Sequence, residues 1–142
     1  MLNLDRKACA LKIMPEFSDL LDAELNKARG LRKVDDSDPF AEGAVFNFKD
    51  PDDSFELGGY HPVEVCINSV GILLYVTDFS YVGKPPFVEL AKELDFAFEV
   101  DCFGHMGVDY PIAEGAELFV IFQQNFVSYH QSGVFELKVS SL

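Results

Sequence analysis

Between Glu117 and Glu136 the chain carries no formally charged side chain, yet residues 113–131 hold a helical repeat that no proline interrupts. Leu118, Phe119, Ile121, Phe122, Phe126, Val127 and Tyr129 cover most of the helix circumference. Only Gln123, Gln124, Asn125, Ser128 and Gln131 are left as neutral polar positions. A helix this apolar must be largely covered, so the rest of the chain has to supply a broad apolar surface. We expect that surface to belong to its own sheet, with a second subunit as the alternative cover, so that monomer and homodimer both stay open.

The covering surface is written in period two. In HPVEVCINS, Val63, Val65 and Ile67 alternate with Glu64, Cys66 and Asn68, the pattern of a strand buried on one face. Across Asn68–Gly71 the run ILLYVTDFSY continues as an antiparallel partner. It is apolar on both sides, Leu73 and Tyr75 against Ile72, Leu74 and Val76, which places it mid-sheet. AVFNF adds a short strand with Phe46 and Phe48 on one face, and VFELKVS a last one with Phe135, Leu137 and Val139 together. In LDFAFEVDCF, Phe96, Phe98, Val100 and Cys102 should face inward, and Asp95, Glu99 and Asp101 should form a row of carboxylates outward. PFVELAKEL reads as a short helical turn and FGHMGVDYP as a Gly-rich loop.

Ahead of the strands, Ile13, Phe17, Leu20, Leu21, Leu25 and Ala28 recur at helical spacing, with Pro15 in the first turn and Gly30 as the expected stop. The element order is then α-β-β-β-(short α)-β-α-β. Tight connections between consecutive strands exclude a doubly wound parallel sheet. The fold class is α+β, a curved antiparallel sheet packed on helices. We expect one domain over 1–142, with an N-terminal helix at 13–29 and a sheet-and-helix core at 44–142. At 142 residues such a chain can bury about two thirds of its unfolded surface.

The balance of 24 acidic and 11 basic side chains, a formal charge of -13, opposes attraction to phosphate backbones and anionic lipid. Direct nucleic-acid binding and membrane association are not expected, whereas a basic protein partner would be favoured. Cys9, Cys66 and Cys102 are odd in number and widely spaced, so neither a disulfide framework nor a thiolate zinc site is indicated. Cys66, on the polar side of its strand, is expected to be partly exposed and structural. The N-terminal stretch lacks a long apolar core of the kind that directs secretion, and no run reaches the roughly 18 apolar residues of a membrane span. A cytoplasmic location fits best.

His61, Glu64 and Asp78 are the candidate catalytic set, because a histidine oriented by a carboxylate is a workable general base near neutral pH. The plainer account is that Asp78 and His61 cap backbone turns. The acidic runs Asp50, Asp52, Asp53, Glu56 and Asp35, Asp36, Asp38 match no EF-hand loop. His61, His105 and His130 form no metal-binding spacing, so a zinc site would have to be assembled by tertiary structure alone. No metal is expected. No cofactor is expected either, because nucleophile-elbow, P-loop and dinucleotide signatures do not occur. Two functions follow. The first is a non-catalytic protein-interaction module using Asp95, Glu99 and Asp101. The alternative is a small-molecule binder or enzyme with a site between sheet and helix near His61, Glu64 and Asp78.

At GGYHPVEVCINS, LLYVTDFSY, ELDFAF and FVSYHQSGVFELKVS, residues 44 to 142 resemble a bacterial family of uncharacterised proteins, domain of unknown function 2787. The HPVE and TDFSY motifs carry most of the resemblance. It implies an α+β roll similar to nuclear-transport-factor-like or cystatin-like topologies, and it implies no activity.

Overall fold

The computed structural model describes residues 3–32 and 37–142, so Asp35 and Asp36 of the second acidic run lie outside the described residues. Helix α1 spans Pro15–Arg32. Strands β1 (Gly43–Lys49), β2 (Val63–Asn68), β3 (Leu73–Val82), β4 (Glu89–Ala97), β5 (Cys102–His105) and β6 (Val108–Pro111) follow. Helix α2 (Ala116–Gln131) and strand β7 (Glu136–Ser141) complete the chain. All seven strands pair antiparallel in one sheet of order β6-β5-β4-β3-β2-β1-β7, curled into a half-barrel. The molecule is thus α+β, a curved antiparallel sheet packed on helices, and β3 is its central strand.

The strand order explains the apolar helix. β6 and β7 are the two sheet edges, and α2 is the element that connects them. Six inter-strand gaps span about 29 Å, and a 16-residue helix is about 24 Å long. With its short flanks, α2 therefore crosses the sheet from edge to edge, and the sheet curls around it. Phe119 and Phe126 point into the core, where Phe126 meets Phe48 edge-on at 4.8 Å and Phe119 meets Phe96 at 4.8 Å. Helix α1 packs alongside, its Phe17 edge-on to both Phe119 and Phe126. Such aromatic pairs add about 0.5–1.5 kcal/mol each beyond the area they bury.

Gln123, expected on the polar side of α2, is fully buried. Its Oε1 accepts the Met14 N–H at 2.8 Å, and its Nε2 donates to the carbonyls of Lys12 (3.1 Å) and Phe119 (3.2 Å). The carboxamide satisfies the backbone groups that lead into α1, so a polar residue is retained in a Phe-rich interior.

Several local expectations are corrected. The short helix over PFVELAKEL is instead strand β4, because β3 is ten residues long and its outer row of backbone donors and acceptors needs a partner. LDFAFEVDCF is not one strand. It stops at Ala97, passes through a 3-10 turn at Phe98–Val100, and resumes as β5 after Asp101 at φ 52°. Val100 is consequently exposed, and Phe103 takes the buried place. The Gly-rich loop is the β5–β6 hairpin, turning at Met106 and Gly107, both at positive φ. Gly30 lies inside α1, with negative φ and nothing near its missing side chain, so it costs helix propensity without ending the helix. In β3 the register slips so that Cys66 faces Tyr75 and Ile67 faces Leu73. Leu74 is the extra residue, which separates Leu73 from Tyr75 and leaves Leu73 and Val76 in the core. Cys66 is buried rather than partly exposed, and burial pushes its thiol up to about 11. Among the described residues, no helix is long and apolar enough to cross a membrane.

Candidate functional site

Helix α2 fills the hollow of the sheet only in part. One stripe of it, Leu118, Ile121, Phe122, Asn125 and Tyr129, follows the helical repeat and is only partly covered: Phe122 touches Phe96 of β4 at 6.0 Å between ring centroids, and Leu118 packs at the core's margin. The stripe forms a wall of an open cleft of about 400 Å³. Ile121 is 51% exposed there, a large apolar side chain left without a cover. Tyr60, from the loop ahead of β2, packs against Tyr129 with ring centroids 4.6 Å apart and planes tilted by 54°, and both line the cleft.

The opposite wall mixes apolar side chains with the cleft's titratable groups. Val63, Asp78, Leu94 and His105 pair in turn across β2, β3, β4 and β5, so their side chains form one row on the helix-covered face. Next to this row the register between β3 and β4 slips. Asp78 pairs with Leu94, but Phe79 pairs with Lys92, so Glu93 is the extra residue of a β-bulge. Strict alternation would send Glu93 to the outer face with Asp95; the bulge turns it into the cleft beside Leu94 instead.

Glu93 Oε2 lies 2.8 Å from His61 Nδ1, and Asp78 Oδ2 lies 3.9 Å from the same nitrogen. The other Asp78 oxygen, Oδ1, accepts the Leu94 N–H at 2.9 Å, which fixes the carboxyl's orientation. Burial drives the Asp78 carboxyl up to about 6. That value already includes a rise from Glu93 and the opposing pull of the Leu94 N–H, His61 and His105. One donor atom from each of His61, Asp78 and Glu93 falls within 4.8 Å of the others, a set with metal-ligating chemistry. A carboxyl that titrates near 6 beside an imidazole is equally suited to proton transfer.

The structure therefore brings together His61 and Asp78 of the expected set and removes Glu64 from it. Glu64 projects from the other face of β2, where its Oε2 accepts the Tyr75 hydroxyl at 2.6 Å. Glu93 and His105 were not anticipated. Glu93 carries no signal in one sequence, because a bulge leaves the residue pattern unmarked, and His105 was hidden in a segment that read as a loop.

The expected carboxylate row is also divided. Asp95 and Glu99 share a smaller groove of about 210 Å³ with Glu64 and Lys92 on the outer face, and Thr77 Oγ1 donates to Asp95 Oδ1 at 2.6 Å. Asp101 follows the 3-10 turn and lies outside that groove. In the acidic loop, Asp50 is buried, not solvated. Its two oxygens accept the N–H groups of Asp52 (2.9 Å) and Tyr60 (3.0 Å), so it shapes the loop that delivers Tyr60 and His61 to the cleft.

No curated protein matches the chain. Solved structures share its architecture, two of them hypothetical proteins of Vibrio cholerae. One is the hypothetical protein VC0508 from the VSP-II pathogenicity island of Vibrio cholerae, at 28% identity over 94% of this chain and 97% of that one, TM-score 0.75. The other is the conserved hypothetical protein VC1805 from pathogenicity island VPI-2 of Vibrio cholerae O1 biovar eltor. It matches at 30% identity over 93% of this chain and 97% of that one, TM-score 0.76, and is described as sharing structural homology with the human P32 protein. The family described as protein of unknown function (DUF2787) matches residues 15–140, and the chain belongs to that family.

Proposed function

We propose that the protein is a small-molecule binder whose ligand lies in the cleft between α2 and the β2–β5 surface. An apolar body would rest on Leu118, Ile121 and Phe122, and a polar head would reach His61, Asp78 and Glu93. The observation that carries this reading is the partly exposed apolar stripe of α2, with Ile121 at its most open point, facing a convergent polar cluster across about 400 Å³, a volume within the usual range of ligand sites, about 300–1,000 Å³. Fluorescence titration with the amphipathic probe anilinonaphthalene sulfonate tests the reading. Saturable binding by the wild type that is lost in Ile121→Trp, with the fold intact by circular dichroism, supports it. Equal binding by both proteins removes it.

The outer groove supports a second reading, an interaction module for a basic protein, because Glu64, Asp95 and Glu99 crowd it with Lys92 as the one cation lining it. Capture of a lysine-rich peptide that vanishes on neutralising Asp95 and Glu99 would favour it. Three free cysteines and the net charge support a cytoplasmic site of action, and the Vibrio relatives support a bacterial source.

A further inference from the structure

The polar end of the cleft holds three donor atoms from three separate elements. His61 precedes β2, Asp78 lies on β3, and Glu93 occupies the bulge of β4. We propose that His61 Nδ1, Asp78 Oδ2 and Glu93 Oε2 hold a divalent transition-metal ion, with the remaining coordination positions open to the cleft. The proposal rests on the reading of the cleft as a ligand site and sharpens it, because the polar head of the ligand is then a donor to the ion.

The spacing suits such an ion. One donor atom from each residue lies within 4.8 Å of the other two, and His61 Nδ1 is 2.8 Å from Glu93 Oε2 and 3.9 Å from Asp78 Oδ2. These values bracket the edge of about 3.4 Å expected between ligands placed about 2.1 Å from a tetrahedral centre. The Leu94 N–H holds Asp78 Oδ1, which leaves Oδ2 as the oxygen nearest His61 Nδ1. Carboxylates that ligate metals are commonly oriented by an outer hydrogen bond in this way. Sheet pairing fixes Asp78 and Glu93 relative to each other, so the site is organised before an ion arrives.

The donor set also selects among ions. One imidazole and two carboxylates are too nitrogen-rich for calcium or magnesium, which prefer oxygen ligands throughout, and they include no thiolate. Zinc, manganese and ferrous iron are the ions that match. Two carboxylates offset the dication's charge, and three protein ligands leave at least one open position, the arrangement of reactive rather than purely structural zinc sites. The acidic runs and histidine spacings that suggested no metal contribute none of this geometry except His61 itself. The site exists only through the bulge.

Calorimetric titration of chelator-treated full-length protein with Zn²⁺ alone, together with the visible spectrum on Co²⁺ addition, tests the proposal. The expected result is one equivalent bound, visible Co²⁺ bands of four- or five-coordination, and an affinity at least about 10-fold weaker in His61→Ala, Asp78→Asn and Glu93→Gln. Glu64→Gln and Glu99→Gln, on the outer face, should leave the affinity unchanged. Ile121→Trp should bind Zn²⁺ normally while losing the organic probe. Absence of saturable binding below about 100 µM, or affinity unchanged in all three cluster variants, overturns the metal site. If the probe still binds in that case, the cleft reading stands without the ion. Zinc binding by a wild type that takes no probe would overturn the cleft reading instead.

Discussion

Glu93 Oε2 sits 2.8 Å from His61 Nδ1 because β4 carries one residue more than β3 can pair. His61 lies outside the strands and Glu93 would alternate to the far side of the sheet, so neither residue would reach the other in a regular ladder. This contact is partly solvent-exposed, and such pairs contribute less than about 1 kcal/mol. Glu93→Ala should therefore shift the urea midpoint only slightly while abolishing Zn²⁺ binding. A loss of stability well above 1 kcal/mol would mean that the pair serves the fold instead of a ligand.

Asp78 supplies a pH test in metal-free protein. Burial holds its carboxyl at about 6 in the folded chain against an ordinary value of 3.8, so between about pH 4 and about pH 6 the folded state keeps a proton that the unfolded state releases. Stability contributed by this group therefore falls as pH rises through that window and is flat above it. Asp78→Asn should remove that slope and raise stability at pH 7 by on the order of 3 kcal/mol. Chemical denaturation of both proteins at pH 4, 5, 6 and 7 checks it. A variant less stable than wild type at pH 7 would contradict this account of the buried charge.

Gln123→Leu should cost about 3 kcal/mol despite the apolar surroundings, because it strands the Met14 N–H and the Lys12 carbonyl. The start of α1 should lose amide-exchange protection first. A neutral result by urea denaturation would show that those backbone groups find other partners.

Gly71 ends the β2–β3 turn at φ 82°, and an added Cβ would lie 1.9 Å from the Asn3 carbonyl oxygen. Gly71→Ala combines strained backbone with a clash against the N-terminal segment, whose Asp5 N–H donates to the Gly71 carbonyl at 2.8 Å. We expect a loss of about 2 kcal/mol or more, measured by thermal unfolding, with Asn3–Asp5 displaced from the turn.

The legible parts of the fold were those with long, regular patterns. Phe46 with Phe48, the Asn68–Gly71 hairpin, the central place of β3 and the extent of α2 all follow from period two or 3.6 in the residues themselves. The illegible parts depend on partners far away in the chain. FVELAKEL satisfies a helical pattern as well as a strand, and only the unpaired side of β3 decides between them. Met106–Gly107 turns a hairpin without the usual Asn-Gly or Asp-Gly signature. The site suffered the same way: His61 and Asp78 could be named from neighbouring strands, but Glu64 was placed with them and Glu93 was not. Both errors come from alternation, which Glu64 obeys and the bulge at Glu93 breaks.

Backbone amide shift mapping of the full chain with the amphipathic probe tests the cleft most directly. The account predicts saturable shifts confined to Tyr60, His61, Leu94, Asn125 and Tyr129 in the wild type, and their loss in Ile121→Trp. Shifts confined to Glu64, Tyr75 and Glu99 on the outer face, or persisting unchanged in the variant, would contradict it.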